Sequence, residues 1–285
     1  MSATDPSTPR PPRPWRWTPL LRLSAAGHLA AAAAVLSGGR ARRWGLGFLA
    51  ADHLALSAAG CWPHKSWLGP VLTRLPGRGP SNDSLPDMAL SFDDGPDPDV
   101  TPQVAALLEE RGHRATFFAI GERVERHPDL VARLHDAGHR IENHTQTHPA
   151  DFAFSFRPRL DREIGACQRA IRDATGRTPA YFRAPAGMRN PLLEGAVARR
   201  GLHLVSWTRR GYDTADGDAA RVFGRIGRDV SRGDILLLHD GRAARTADGR
   251  PVSLDVLPRL LDAIEAEGLR AGPIPEPAEI GLGPG

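Results

Sequence analysis

Residues able to do chemistry recur at five places along the 285-residue chain: Asp93-Asp94-Gly95, His144 with His148, Arg183, Trp207 with Asp213, and His239. Most of them end or follow a short apolar run. Leu-Ser-Phe leads into Asp93, Ile141 leads through Glu142 and Asn143 to His144, Phe182 precedes Arg183, and Leu238 precedes His239. Two imidazoles four residues apart in a short helical turn face the same way. One carboxylate from a neighbouring strand, Asp94, completes three ligands for a metal ion. Three protein ligands leave room for water and substrate, as a catalytic metal site requires. Each signal also has an ordinary alternative: most of the 11 histidines are expected at the surface or in caps, and adjacent aspartates are common in turns.

To converge, these residues must be carried by strands that end on one side of a sheet. From Met88 onward the pattern alternates strand and helix. Met88–Phe92, Ala115–Ile120, His139–Glu142, Tyr181–Arg183, Leu202–Trp207, Asp234–His239 and Leu269–Ala271 read as strands. Thr101–Arg111, Asp129–Ala137, Pro158–Thr175, Pro191–Arg200, Ala219–Val230 and Leu254–Glu267 read as helices, several with Pro at the start or Gly after the end. Repeated strand–helix units imply an α/β fold with a parallel sheet and helices outside. About seven units predict a distorted (β/α) barrel, with an open doubly wound sheet as the alternative. No glycine-rich fingerprint follows the first strand, which argues against dinucleotide binding. In parallel barrels, reactive groups sit at the carboxyl ends of strands, where these residues fall.

Composition is that of a globular chain, with 41% hydrophobic and 25% charged residues. Cys61 and Cys167 are too few for a disulfide framework or a cysteine zinc cluster. Cys167 shares a helical apolar stripe with Leu160, Ile164 and Ile171 and reads as a buried structural thiol. The net charge of +4 divides unevenly: residues 1–80 hold ten basic and two acidic residues, the remainder 27 and 31. The main domain is therefore not a basic nucleic-acid binder, and no nucleic-acid partner is expected.

The basic residues mark an appendage. Residues 1–19 are rich in Arg and Pro and are expected to form a disordered leader. Residues 20–75 contain two apolar stretches, Leu20–Ser37 and Trp44–Trp62, separated by Arg40, Arg42 and Arg43. Each is about as long as a bilayer span, and together they predict an apolar, membrane-associated helical hairpin. A soluble hairpin lying on the main domain is the alternative. Alanine is weakly apolar, and Asp52 mid-span costs on the order of 3 kcal/mol. A cleaved signal peptide fits less well, because the apolar run starts late. The expected location is a bacterial-type inner membrane, and the flanking charges place the main domain at the cytoplasmic face. Residues 76–86 have linker composition, residues 87–272 form the catalytic domain, and residues 273–285 form a C-terminal tail.

Four segments in this order, Leu-Ser-Phe-Asp93-Asp94-Gly95-Pro96, His144-Thr145-Gln146-Thr147-His148, Arg183-Ala184-Pro185-Ala186-Gly187 and Leu236-Leu237-Leu238-His239-Asp240, resemble the motif series of the polysaccharide deacetylases. The family is also called carbohydrate esterase family four, or the nodulation-factor deacetylase homology domain. The resemblance spans residues 86–271 and leaves out the appendage. It implies a distorted barrel of about seven strand–helix units. It implies that Asp94, His144 and His148 hold one divalent metal ion, usually Zn2+, with Co2+, Ni2+ or Mn2+ as substitutes. By the same resemblance Asp93 is the general base, His239 the general acid, Arg183 the holder of the base, and Asp213 the carboxylate that orients His239. Ala186 would offer a backbone N–H to the oxyanion. Trp207 is either a wall for the acetyl methyl or packing at the barrel mouth. The family commonly has an aromatic residue where Ala186 stands, and often pairs Asp directly with Trp. Here five residues separate Trp207 from Asp213, so Asp216 or Asp218 is an alternative to Asp213.

The implied activity is hydrolytic removal of N-acetyl groups from amino sugars or polysaccharides. Alternatives are a deacylase or deformylase of a lipid-linked amino sugar at the membrane, and an inactive carbohydrate-binding module. Two histidines and a carboxylate also suit a non-haem iron oxygenase, though the four-residue His spacing and the Asp-Asp start speak against it.

Overall fold

A computed structural model describes residues 10–77 and 85–282. Strands β1 (Met88–Asp93), β2 (Thr116–Ala119), β3 (Arg140–Asn143), β4 (Tyr181–Phe182), β5 (His203–Leu204), β6 (Arg209–Arg210), β7 (Ile235–His239) and β8 (Ala271–Gly272) are joined by helices. The helices are α1 (Pro19–Ser37), α2 (Gly39–Gly60), α3 (Thr101–Glu110), α4 (Gly121–Arg126), α5 (Pro128–Asp136), α6 (Arg157–Thr175), α7 (Leu193–Arg199), α8 (Ala219–Ile226) and α9 (Val252–Ala266). The strand order is β5-β4-β3-β2-β1-β7-β6, with β8 added beside β1, and every pairing is parallel. The sheet curls into the expected barrel-like form with helices outside. Two elements escape the sequence pattern: α4, a short polar turn, and β6, whose two residues are both arginine.

Alternation along the strands sorts the core into layers. Met88, Leu90 and Phe92 of β1 and Leu236 and Leu238 of β7 pack outward against α3, α8 and α9. The intervening Ala89 and Ile235 point inward and join Phe118, Ala180, Tyr181, Val205, Ile274 and Leu75 to close the base of the barrel. Above that base the same inward positions become polar: Ser91 and Asp93 on β1, His239 on β7.

Residues 203–210 pair with β4 at their start and with β7 at their end, so the bend at Trp207 joins the two edges of the sheet. The residues leading out of the hairpin are wedged into that seam. Leu72 pairs with Val205, and Leu75 N–H donates to the Gly233 carbonyl. Residues 71–75 thus serve the barrel, although composition placed them with the hairpin.

The leader is also partly ordered. Residues 1–9, 78–84 and 283–285 lie outside the described residues, including most of the expected linker. Residues 10–18, expected to be disordered, instead run along the domain. Arg13 Nε donates to the Leu202 carbonyl at 2.6 Å, its backbone N–H to Ala198, and its guanidinium pairs with Glu194. Arg10 reaches the Pro179 carbonyl and Glu276, both at 3.0 Å. Two arginines with specific acceptors outweigh the loose composition of this segment.

Helices α1 and α2 form the expected hairpin, turning at Gly38 and Gly39, both with positive φ. Of the two apolar stretches, α1 alone among the described residues is long and apolar enough to cross a membrane. The three arginines at its start and Asp52 set α2 apart. Asp52 does not stand alone: the Ser24 hydroxyl donates to it at 2.7 Å, and His28 Nδ1 lies 3.6 Å away.

Candidate active site

The strand register brings the reactive residues to one rim. Asp93 lies opposite both Phe118 and His239, and Asn143 lies opposite both Ala119 and Phe182. Traced across the sheet, this register sets Glu142 in line with Asp93, and His144 and Arg183 follow two residues further along, on the same carboxyl rim as Asp93 and His239. A cavity of about 400 Å³ opens there, lined by Asp93, Asp94, His144, His148, Ala186, Trp207 and His239, among others.

Asp94 Oδ1 lies 3.4 Å from His144 Nε2 and 3.2 Å from His148 Nε2. His144 Nδ1 donates to the Arg183 carbonyl at 2.8 Å, which leaves Nε2 with a free lone pair. Asp94 Oδ1 is buried without a hydrogen-bond donor. An orphaned carboxylate oxygen between two imidazole nitrogens is a donor set that fits a divalent cation. Burial raises the Asp94 carboxyl, but His144, His148 and His239 more than reverse this and hold it well below the usual carboxylate range. Burial, then His144 and Arg242, push His148 down to about 4, so its neutral, ligating form prevails at pH 7. Burial also lowers His144, yet Asp93 and Asp94 outweigh it and the net shift is upward. Two buried carboxylates demand a cation here, whether proton or metal.

The histidine pair is not held by the expected helical turn. Residues 144–149 form an irregular loop, with Thr145 at φ 71° and His148 at φ 51°. Side chains substitute for a helix. Asn143 Oδ1 accepts the Thr145 N–H at 3.0 Å, Thr145 Oγ1 accepts the His148 N–H at 3.0 Å, and Glu163 accepts the Thr147 N–H at 2.9 Å. Among the described residues six non-glycine residues have positive φ; Asp94, His148 and Ala186 line the cavity, while Thr145 and Tyr212 adjoin His144 and Asp213. Each costs on the order of 1 kcal/mol, and strain concentrated this way marks a functional site independently of any motif.

Arg183 is fully buried beneath the cavity. Its Nη1 donates to Asp93 Oδ1 at 2.6 Å and Ser91 Oγ at 2.9 Å, its Nη2 to the Ser206 carbonyl at 2.9 Å, and its plane lies 3.9 Å from the Phe118 ring. His239 Nδ1 donates to Asp213 Oδ1 at 2.8 Å, and the His239 backbone N–H to Asp213 Oδ2 at 2.7 Å. Burial lowers the imidazole, but Asp213, then Asp93 and Asp94, carry it above its ordinary value. The alternatives to Asp213 are occupied elsewhere: Asp216 pairs with Arg221 and Arg225, and Asp218 caps α8. Ala186 sits in a tight 3-10 turn, Pro185–Gly187, at the cavity wall. Trp207 is buried and T-stacked on His64 at 5.6 Å, so it is both wall and packing. Cys167 is buried, donates to the Ala119 carbonyl at 3.3 Å, and burial pushes its thiol up to about 12, as a structural thiol requires.

Sequence reasoning passed over several contributors. Arg210, Arg242, Thr214 and Leu237 also line the cavity. Asp240, raised by burial to about 7, accepts the Thr101 hydroxyl at 2.5 Å behind the Asp94-Gly95 turn. A Cβ on Gly95 would stand 2.1 Å from Asp240 Oδ2, and one on Gly241 2.1 Å from the Asp94 carbonyl oxygen, which explains glycine at both. The Asp-Asp-Gly and His-Asp-Gly triplets were the available signals.

Residues 81–205 match the family model for polysaccharide deacetylase. A chitooligosaccharide deacetylase of Bradyrhizobium is 34% identical over 66% of this chain and 88% of its own length. A peptidoglycan-N-acetylglucosamine deacetylase of Bacillus cereus is 33% identical over 67% and 86%. Among solved structures, a family 4 carbohydrate esterase from Streptomyces lividans in complex with acetate superimposes with TM-score 0.59 and 32% identity, covering 66% of this chain and 92% of that one. With its barrel and these relatives, the chain belongs to the polysaccharide deacetylases of carbohydrate esterase family four and is a hydrolase of carbon–nitrogen amide bonds.

Proposed function

We propose that the protein removes N-acetyl groups from N-acetylglucosamine units of chitooligosaccharides or peptidoglycan, using water activated at one divalent metal ion, Zn2+ by preference. The carrying observation is the buried, donorless Asp94 Oδ1 between the Nε2 atoms of His144 and His148. These three residues would hold the ion, which when bound lowers the pKa of water toward about 7 and polarises the acetyl carbonyl. Asp93 Oδ1 is taken by Arg183, leaving Oδ2 to accept the proton of the attacking water. Arg183 acts through Asp93, fixing its rotamer from below. With Nδ1 committed to Asp213, His239 presents Nε2 to the departing amine, which leaves poorly without a proton. The Ala186 backbone N–H at the wall supports the oxyanion, and Trp207 bounds the acetyl methyl. The test is acetate release from both substrate classes by wild type, Asp93→Asn and His148→Ala, with and without chelator. Release that survives substitution and chelator would sink the metal-water reading.

A second reading is favoured by the hairpin exit. Pro63 and His64, just past α2, pack on Gly187 and Trp207 at the cavity wall, beside Trp62 and Trp67 with ring centroids 6.0 Å apart. Paired tryptophans at the end of an apolar hairpin suit the membrane interface. The site then lies at headgroup height, on the cytoplasmic face by the charge count, and its substrate is a lipid-linked amino sugar. Floating the protein with vesicles, with and without residues 19–60, tests the attachment.

A further inference from the structure

Resting on the deacetylase reading above, the geometry points to a subsite for an anionic group of the substrate, formed by Arg210 and Arg242 in the cavity wall. The two acids lining the cavity are already engaged, Asp93 by Arg183 and Asp94 by the histidines. The two arginines are not. Arg210 lies between rings, its guanidinium carbon 4.9 Å from the Tyr212 centroid and 5.4 Å from that of Trp207. Its Nε is buried with no hydrogen-bond acceptor. Neighbouring arginines have carboxylates: Arg209 pairs with Asp234 at 3.1 Å, and Arg225 with Asp216 at 2.9 Å. Among the described residues, only the one facing the cavity on this strand lacks such a partner.

Arg242 is held by a single neutral contact, 3.3 Å from His148 Nδ1. It has no carboxylate partner among the described residues, and its side chain lines the same cavity as Arg210. A planar guanidinium stacked on aromatic rings is preorganised for a carboxylate or phosphate oxyanion. A neutral chitooligosaccharide has no such group. The lactyl carboxylate of an adjoining muramic acid and a phosphodiester at the sugar's anomeric carbon both do.

The full chain loaded with zinc would be assayed on chitotetraose, on an N-acetylglucosaminyl-N-acetylmuramic acid disaccharide, and on an alkyl phosphodiester of N-acetylglucosamine. Arg210→Gln is expected to lower kcat/KM for one anionic substrate, relative to chitotetraose, by about tenfold or more. Arg210→Lys, which keeps the charge, should lose about threefold or less, and the anion that responds identifies the source. Calorimetric binding of both anionic sugars to metal-free protein supplies the second readout, weakened by Arg210→Gln and by about 0.5 M salt. Unchanged ratios and unchanged binding in Arg210→Gln overturn the subsite. If wild type releases acetate from none of the three, the deacetylase reading fails by itself. The binding arm then still decides, since anion binding lost in Arg210→Gln sustains the subsite and equal binding ends it.

Discussion

Exchanging Asp213 for Asn removes one buried charge at nearly constant volume, and its consequence can be worked out from His239. Burial is the largest influence on this imidazole and acts downward; it stands above its ordinary 6.5 because Asp213 leads three carboxylates around it. Two unit charges 4 Å apart interact by about 4 kcal/mol at an effective dielectric near 20. That ceiling is about three pKa units at about 1.4 kcal/mol each. Asp93 and Asp94 remain in the variant, so the imidazole pKa is expected to fall by only part of that ceiling. In the proposed mechanism the protonated imidazole is the active form, so activity is expected to disappear as pH rises through its folded pKa. The descending limb of kcat/KM against pH lies above 6.5 in wild type and moves to lower pH in Asp213→Asn. At about pH 7.5 less of the donor is then protonated, and acetate release falls by about tenfold or more. Stability carries the same sign. A raised histidine pKa contributes stability that is full below 6.5 and lost as pH climbs past the folded value. The Tm deficit of Asp213→Asn is therefore largest in acid and narrows toward alkaline pH. A descending limb that stays in place, or a deficit that widens with pH, would refute the pairing argument.

Other outcomes follow from the same geometry. Asp94→Asn, His144→Ala and His148→Ala should each take bound zinc, measured by emission spectrometry after dialysis, from about one per chain to near zero, with acetate release down about 100-fold or more. Gly95→Ala forces a Cβ to within 2.1 Å of Asp240 Oδ2 and should destabilise the domain by about 1–3 kcal/mol in urea unfolding. Leu75→Ala, in the seam outside residues 87–272, should cost about 2–3 kcal/mol in the same assay. A chain beginning at residue 87 should unfold at lower denaturant than one beginning at Ser66, because the strap residues Leu72 and Leu75 pair with the barrel.

What could be read in the sequence, and what could not, has a physical pattern. Strands β1 and β7 are buried on both faces, so they appear as largely apolar runs, broken in β1 only by Ser91, and the residue that ends each run is where the barrel opens. Strand β6 is two arginines beyond a bend at Trp207, with no apolar signal to show. A four-residue spacing of histidines suits a helical turn and an irregular loop equally. The choice was made by Asn143, Thr145 and Glu163, whose side chains replace the hydrogen bonds a helix would have supplied. Arg10 and Arg13 looked like a charged leader because their acceptors, at Pro179 and Leu202, lie far along the chain.

The period-two alternation in β1 and β7 connects fold to chemistry more tightly than the motifs alone imply. Ala89, Ser91 and Asp93 take successive inward positions on one strand, and Ile235, Leu237 and His239 do so on its neighbour, in a register that aligns Asp93 with His239. Small or apolar residues close the base, Ser91 catches Arg183 at mid-height, and the acid and imidazole meet at the mouth. A slip of one residue would turn Asp93 and His239 toward the helices and Phe92 and Leu238 into the cavity. The outward packing of Met88, Leu90 and Phe92 forbids that slip, because it would leave three large apolar side chains on the polar inner face. The hydrophobic core outside the barrel is thus what holds Asp93 and His239 face to face inside it.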